Sequence, residues 1–150
     1  MASIHVSSDY KYVLLTATAS TFITSFHTNL TGTYRKAARV PFPYPYATAT
    51  EAATSAEKFR FNCAQKAHAN FTENHTSFVF VLLIAGLRFP KSSAVLGAMW
   101  CTARVLYALG YTRKYNAEDG KGRHWGTWWS LPHILLMGMA VVSSWTALRD

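Results

Sequence analysis

Four long and mostly apolar segments constrain the fold of this chain more than any other feature of its sequence. They cover about residues 10–34, 61–87, 92–111 and 125–148. Each has roughly the 20 residues that a helix needs to cross a bilayer. Prolines, which stop helices, separate the first three segments and stand at Pro41, Pro43, Pro45 and Pro90. The pattern predicts an all-α, single-domain chain folded as an integral membrane four-helix bundle.

None of the four segments is free of polar residues, so a soluble four-helix bundle is the alternative that the pattern leaves open. The mean hydropathy is only +0.04. Charged residues make up only 15% of the chain, whereas a soluble domain averages about 25%. Trp125, Trp128 and Trp129 at the start of the fourth segment favour the membrane, because tryptophan collects at the membrane–water interface.

The basic residues form short clusters between the apolar segments, as in loops that flank membrane spans. The net charge of +8 is therefore not interpreted as a nucleic-acid-binding surface. With four spans, the first and third loops lie on one side with nine basic residues: Arg35, Lys36, Arg39, Lys58, Arg60, Arg113, Lys114, Lys121 and Arg123. The opposite side has four: Lys11, Arg88, Lys91 and Arg149. Because positive loops stay in the cytosol, we expect the nine-residue side there and both termini opposite.

The cysteines and histidines show no spacing that is typical of a metal site. Cys63 and Cys101 have no CxxC partner, and we expect both to stay reduced as small buried side chains. The residues predict no metal.

Two sets of polar residues lie inside the second and third segments, where an unpaired charge is costly and usually pairs or serves a site. Each set occupies one helix face, because its members are three or four residues apart. The second segment begins, and the third ends, at the same side of the membrane. The sets are Lys66, Asn70 and Glu73 on the second segment, and Arg104, Tyr107 and Tyr111 on the third.

These side chains suit a small zwitterionic ligand with several carboxylates and one amine, and glutathione is such a ligand. Lys66 and Arg104 would bind carboxylates, Glu73 the amine and Asn70 peptide groups. Spacing alone leaves an alternative open, in which Glu73 pairs with Lys66 or Arg104 and the charges only brace the fold.

Two stretches carry a resemblance to a known family. FNCAQKAHANFTE, residues 61–73, resembles the first motif of the membrane-associated proteins in eicosanoid and glutathione metabolism, and ARVLYALGY, residues 103–111, is similar to the second. The opening YKYVLLTATAS and the basic YRKAARV extend the resemblance over nearly the whole chain. Within the family, the chain looks most like the microsomal glutathione S-transferase type 3 branch.

The resemblance implies a homotrimer with glutathione bound as co-substrate between neighbouring subunits. The implied catalytic residue is Arg123, which would stabilise the glutathione thiolate. Lys36 matches a position at which the leukotriene-synthesising branch has a proposed proton donor. The residues implied to bind glutathione are Arg35, Lys66, His68, Asn70, Glu73, Arg104, Tyr107 and Tyr111.

The chain departs from the family pattern at three places. Lys66 stands where arginine is usual, so a two-pronged carboxylate contact becomes a point-charge contact. Asn74 replaces a tyrosine of the leukotriene branch. The loop before Arg123 is longer than expected, which leaves Arg113 and Lys121 as rivals for its role.

The resemblance implies a membrane-bound glutathione transferase, with glutathione-dependent peroxidase activity as a second reaction. Its partners would be glutathione, a lipophilic electrophile or lipid hydroperoxide, membrane lipid and two further copies of the chain. The endoplasmic reticulum is the expected membrane, with the mitochondrial outer membrane as the alternative, and the glutathione mouth faces the cytosol. The alternative function is a non-catalytic, lipid-binding family member that acts as a membrane scaffold.

Overall fold

The computed structural model describes residues 7–113 and 120–149, and these are almost entirely helical. The α-helices are α1 (Tyr10–Ala38), α2 (Ala49–Thr54), α3 (Ala56–Arg88), α4 (Pro90–Thr112) and α5 (Ser130–Ala147). A 3₁₀ segment, Lys121–Trp129, leads directly into α5. The predicted all-α class is confirmed. Lys114, one of the nine basic residues counted above, and most of the predicted loop at 116–122 lie outside the described residues.

Two stretches of this fold are long and apolar enough to cross a membrane: Pro90–Thr112, and Lys121–Ala147, which joins the 3₁₀ segment to α5. Both have a mean hydropathy of 1.2 over their most apolar window. Helices α1 and α3 have 29 and 33 residues, but their polar side chains keep them below that hydropathy. The four-span bundle therefore remains a prediction.

Helix boundaries follow from local capping groups. Arg39 ends α1 in the left-handed conformation, with φ of 53°. Thr48 and Glu51 form a reciprocal capping box that starts α2, and the Ser55 hydroxyl accepts a hydrogen bond from the Lys58 amide to start α3. Helix α2 was not predicted from the sequence, and α3 begins at Ala56 rather than near residue 61.

The core lies where α3 packs against α1, α4 and α5. Trp100 stacks on Phe78 with ring centroids 3.8 Å apart, and Leu82, Leu136 and Val13 are fully buried beside them. The outer face of α5 is apolar and exposed, as expected for a face that meets lipid or another subunit. It presents Leu131, Ile134, Leu135, Met137, Val141, Val142 and Trp145.

Candidate functional site

Arg104, on the inner face of α4, is the central feature of the candidate site. The side chain is fully buried, and its Nη1 donates a hydrogen bond of 2.9 Å to Oδ1 of Asn70 on α3. Its Nε and Nη2 atoms have no hydrogen-bond partner in the part of the chain that the structure describes. No carboxylate among the described residues lies within 4 Å of it. A buried guanidinium without a counter-ion is costly unless another group accepts its remaining N–H bonds.

Aromatic rings surround this guanidinium. Its Cζ lies 4.8 Å from the ring centroid of Trp129, 5.2 Å from that of Tyr107 and 5.7 Å from those of Phe71 and Trp100. Such contacts stabilise a cation through the negative ring faces, but they accept hydrogen bonds only weakly. The rings therefore hold Arg104 in place, and its Nε and Nη2 atoms stay buried without an acceptor among the described residues.

Tyr107, Tyr111 and Arg123 continue the polar group toward the end of α4. The two tyrosine rings meet edge to face with centroids 5.6 Å apart, and the Arg123 guanidinium lies 5.9 Å from the Tyr111 ring centroid. Nη1 of Arg123 donates a hydrogen bond of 3.1 Å to the Gly120 carbonyl. The structure thus places three of the predicted site residues side by side.

Glycines allow the 3₁₀ segment to approach α4 closely enough to deliver Arg123. A Cβ added at Gly126 would overlap the Ala103 carbonyl and the backbone nitrogen of Tyr107. A Cβ at Gly110 would overlap the Gly122 carbonyl. The two backbones are therefore in direct contact on both sides of Arg123.

Lys66 and Glu73 lie on the exposed surface of α3, on either side of half-buried Asn70. Neither forms an ion pair within the part of the chain that the structure describes. The alternative in which Glu73 pairs with Lys66 or Arg104 to brace the fold is therefore not observed there. Both charged groups remain available to a ligand or to a neighbouring molecule.

Arg113 and Lys121 are the two other candidates for the catalytic role expected of Arg123. The Arg113 guanidinium packs on the ring of Trp125 at 4.2 Å and is exposed, and Lys121 is exposed at the start of the 3₁₀ segment. The Arg123 guanidinium is in contact with the ring of Tyr111.

A model of the MAPEG family matches residues 13–144, which is most of the chain. The chain belongs to the MAPEG family. This confirms the resemblance to the membrane-associated proteins in eicosanoid and glutathione metabolism. The family is membrane-associated, uses glutathione as a substrate, and includes glutathione transferases, peroxidases and enzymes of eicosanoid synthesis. Membership of the type 3 branch remains a prediction.

Arg35 does not join the group around Arg104. Its guanidinium lies between the rings of Phe42 and Phe61, with centroids 4.4 and 4.6 Å away, and its Nη1 donates a hydrogen bond of 2.8 Å to the Tyr44 carbonyl. These contacts fasten the connection between α1 and α2. Lys36 beside it is exposed. The role in glutathione binding that MAPEG membership implies for Arg35 would require it to leave these partners.

His68 is half-buried on α3, and its ring centroid lies 6.2 Å from that of His27 on α1. His27 was not selected from the sequence. It is fully buried, it stacks on Phe71 at 4.7 Å, and both of its ring nitrogens lack hydrogen-bond partners. No sequence signal points to this position, because a lone histidine in an apolar helix has no recognisable spacing.

The polar side chains of the candidate site around Arg104 suit an organic anion rather than a metal ion. They are arginine, asparagine and tyrosine side chains. Only the amide oxygen of asparagine and the phenol oxygen of tyrosine could coordinate a cation, and both are neutral. No group of three or more histidine, cysteine or acidic side chains lies together within residues 7–113 and 120–149.

Proposed function

We propose that this MAPEG protein is an integral membrane enzyme that ionises glutathione to its thiolate and directs it at lipophilic electrophiles or lipid hydroperoxides. The observation that carries the proposal is the buried Arg104 guanidinium, which among the described residues has two nitrogens without an acceptor and no carboxylate within 4 Å. An anionic ligand would accept those N–H bonds and offset the charge. Glutathione has two carboxylates, and at least one would be close to Arg104.

The remaining charges suit the other ends of the same ligand. The exposed carboxylate of Glu73 would bind the glutathione amine, and the exposed ammonium of Lys66 would bind the second carboxylate. Asn70, which already accepts one hydrogen bond from Arg104, has its amide NH₂ free to donate to a peptide carbonyl. Arg104 therefore has two roles in this proposal, as a contact to the ligand and as the group that orients Asn70.

Thiolate formation is the chemical step that needs a nearby cation. A free thiol has a pKa of about 8.5, so only a small fraction is ionised at neutral pH. A guanidinium beside the sulfur lowers that pKa while remaining protonated itself. Arg123 is the residue proposed for this role, because it reaches the polar end of α4 next to Tyr111.

The thiolate would then react with a substrate that enters from the lipid. Attack on an epoxide carbon forms a C–S bond and opens the ring to an alkoxide, which takes a proton to become an alcohol. Attack on a hydroperoxide cleaves the O–O bond, releasing the lipid alcohol and leaving the sulfur as a sulfenic acid. A second glutathione then forms the disulfide and releases water.

The proposed assembly is a homotrimer of four-helix subunits in the endoplasmic reticulum membrane. Lys66 and Glu73 are exposed on a single subunit, which suits ligand sites that are completed by a neighbouring copy. The mouth of each site would face the cytosol, as the basic loops predict. Cytosolic glutathione and lipid-soluble substrate would then reach the site from different directions.

One observation favours the alternative, a non-catalytic MAPEG member that binds lipid and acts as a scaffold. Arg35, an implied glutathione contact, is fully engaged with Phe42, Phe61 and the Tyr44 carbonyl. A chain that had lost glutathione binding could retain this arrangement unchanged.

Equilibrium dialysis with labelled glutathione, followed by turnover assays on the same purified protein in nanodiscs, separates these functions. The enzyme is expected to bind glutathione, to show the ultraviolet absorbance of a thiolate, and to consume a model epoxide or hydroperoxide. Absence of binding would reject the enzyme proposal. Binding without thiolate absorbance or turnover would favour the scaffold.

A further inference from the structure

The connection between α1 and α2, residues 39–48, exposes large aromatic side chains although hydrogen bonds hold its backbone in place. Phe42 is 81% exposed and Tyr44 is 61% exposed. Arg35 fixes the connection at Tyr44, and Asn62 fixes its end by exchanging two hydrogen bonds of 2.8 and 2.9 Å with the Ala47 backbone. A rigid segment that leaves aromatic rings unburied suits contact with a surface.

Arg39 lines a cavity of about 360 Å³ beside these rings. Its side chain makes no hydrogen bond, ion pair or ring contact within the described residues. The hydroxyls of Tyr44 and Tyr46, which line the same cavity, also donate to no protein group there. Three unengaged donors thus surround one space, and Val40 and Pro41 supply its apolar wall.

The charge around this cavity is positive. Between residues 35 and 60 the chain has five basic side chains and two acidic ones, which gives a net charge of +3. One of the acids, Glu51, also lines the cavity, where it is paired with Lys58. The occupant that complements this lining is therefore an anion with an apolar part.

We propose that the Arg39 cavity binds the headgroup of an anionic phospholipid, with the phosphate at Arg39 and the two tyrosine hydroxyls. Phe42 and Tyr44 would lie at the membrane–water interface, which is where aromatic side chains collect. Tyr34 at the end of α1 donates a hydrogen bond of 3.3 Å to the Thr112 carbonyl, so the cavity and the end of α4 are at the same side of the fold. That is the side predicted to face the cytosol, where anionic lipid is concentrated.

The conformation of Arg39 supports a functional reason for its presence. Its φ of 53° is in the left-handed region, where glycine and asparagine are favoured over arginine. In this conformation the Arg39 backbone N–H closes α1 by donating to the Arg35 and Lys36 carbonyls, and the exposed side chain, which has no partner among the described residues, is left for an external contact. The proposal rests on Arg39, Tyr44 and Tyr46 and uses neither Arg104 nor Arg123, although Tyr46 is close enough to Tyr111 of the candidate site to interact with it electrostatically.

The test uses the purified full-length protein in a neutral detergent, titrated with short-chain phosphatidylserine, short-chain phosphatidylcholine or inorganic phosphate. Arg39→Asn removes the charge and keeps a residue that favours the left-handed conformation, so the fold is expected to survive. Arg88→Asn is the matched control, because it removes an exposed arginine at the opposite end of α3.

The unmodified chain should bind phosphatidylserine more tightly than phosphatidylcholine. Arg39→Asn should weaken phosphatidylserine binding about fivefold, since one basic residue contributes about 1 kcal/mol to binding an anionic lipid surface. Arg88→Asn should leave it unchanged. Equal affinity for the two lipids, an unaffected Arg39→Asn variant, or equal binding of inorganic phosphate would overturn the proposal. A change in oligomeric mass with Arg39→Asn would also overturn it, because the connection would then be a contact between copies.

Discussion

The two ends of α4 are both tightly packed, but they are packed by different atoms. Near Pro90, Gly97 faces the side chains of Thr16 and Leu82, so the closest contacts are between flexible apolar groups. Near Thr112, Gly110 of α4 faces the backbone of the 3₁₀ segment, and Gly126 of that segment faces the backbone of α4. The first end can adjust to a change, whereas the second cannot. Rigidity is therefore concentrated at the end that holds the candidate site.

The largest effect should come from Arg123→Leu, which removes a charge from the rigid end. Turnover at neutral pH should fall by about 100-fold to 1000-fold, as for loss of a group that stabilises developing negative charge. Glutathione binding should persist through α3 and α4, and a higher pH should restore part of the rate because solvent base then ionises the thiol. Steady-state rates across pH measure this, with Arg88→Leu, an exposed arginine at the end of α3, as the control. Unchanged turnover at pH 7 would exclude Arg123 and return attention to Arg113 or Lys121.

Arg104→Met separates ligand binding from bracing at the same end. A charged hydrogen bond contributes about 1.5–3 kcal/mol, so glutathione affinity should drop about tenfold to a hundredfold. Thermal stability of the ligand-free protein should hold or rise, because replacing a buried charge with an apolar side chain removes its desolvation cost. Glu73→Gln should lower affinity over the same range.

Calorimetric binding and thermal melts on both variants give the outcome. Lower melting temperature with normal glutathione affinity would mean that the charges only support the fold. Arg88→Met, at the exposed end of α3, is the control for loss of an arginine without loss of a site.

A pair of glycine substitutions tests the difference between the two ends directly. Gly126→Ala would force a Cβ into backbone atoms of α4 and should cost about 1–3 kcal/mol of stability, with loss of turnover as Arg123 is displaced. Gly97→Ala meets the ends of Thr16 and Leu82 side chains, which can move, so its cost should be smaller. Gly138→Ala has no neighbour within 4 Å and should be neutral or slightly stabilising, by up to about 1 kcal/mol. Equal losses at Gly97 and Gly126 would remove the distinction.

The smallest effect concerns Glu51, outside the helices of spanning length. Hydrogen bonds from Lys58 and Thr48 lower the pKa of Glu51 to about 2. A lowered pKa means that the interaction stabilises the fold fully above the ordinary value of 4.5 and is lost as the pH falls from there toward 2. Protection of the α2 amides from hydrogen exchange, measured relative to the intrinsic exchange rate at each pH, should therefore decrease over that range, and Glu51→Gln should abolish this decrease. An equal decrease of protection in Glu51→Gln would refute this.

The sequence predicts helical segments well where hydrophobicity or spacing decides the outcome. Asn70 and Arg104 were placed on helix faces at the same membrane side, and the hydrogen bond between them shows that these faces meet. Helix α2 could also have been found, because Thr48 and Glu51 have the spacing of a capping box. The three prolines just before it favour an extended connection, and that signal dominates the local pattern.

Other features depend on contacts between distant parts of the chain. Arg35 is held by Phe42 and by Phe61, and this arrangement forms only when the connection folds back on α3. Among the described residues, Arg104 has no carboxylate within 4 Å and the His27 ring nitrogens have no hydrogen-bond partner. Both facts likewise follow from which side chains fill the space around these residues. No spacing rule predicts such an absence.

The bond between Arg123 and the Gly120 carbonyl has a consequence for how relatives of this protein can diverge. Arg123 is bonded to Gly120 within one short segment, and the close contacts of Gly122 and Gly126 fix that segment to α4. The location of the guanidinium is therefore independent of how many residues precede Gly120. A relative with a different number of residues between the end of α4 and this glycine can then hold its arginine in the same place. An alignment that counts residues across this stretch will misplace it, whereas one anchored on Gly120, Gly122 and Gly126 will recover it.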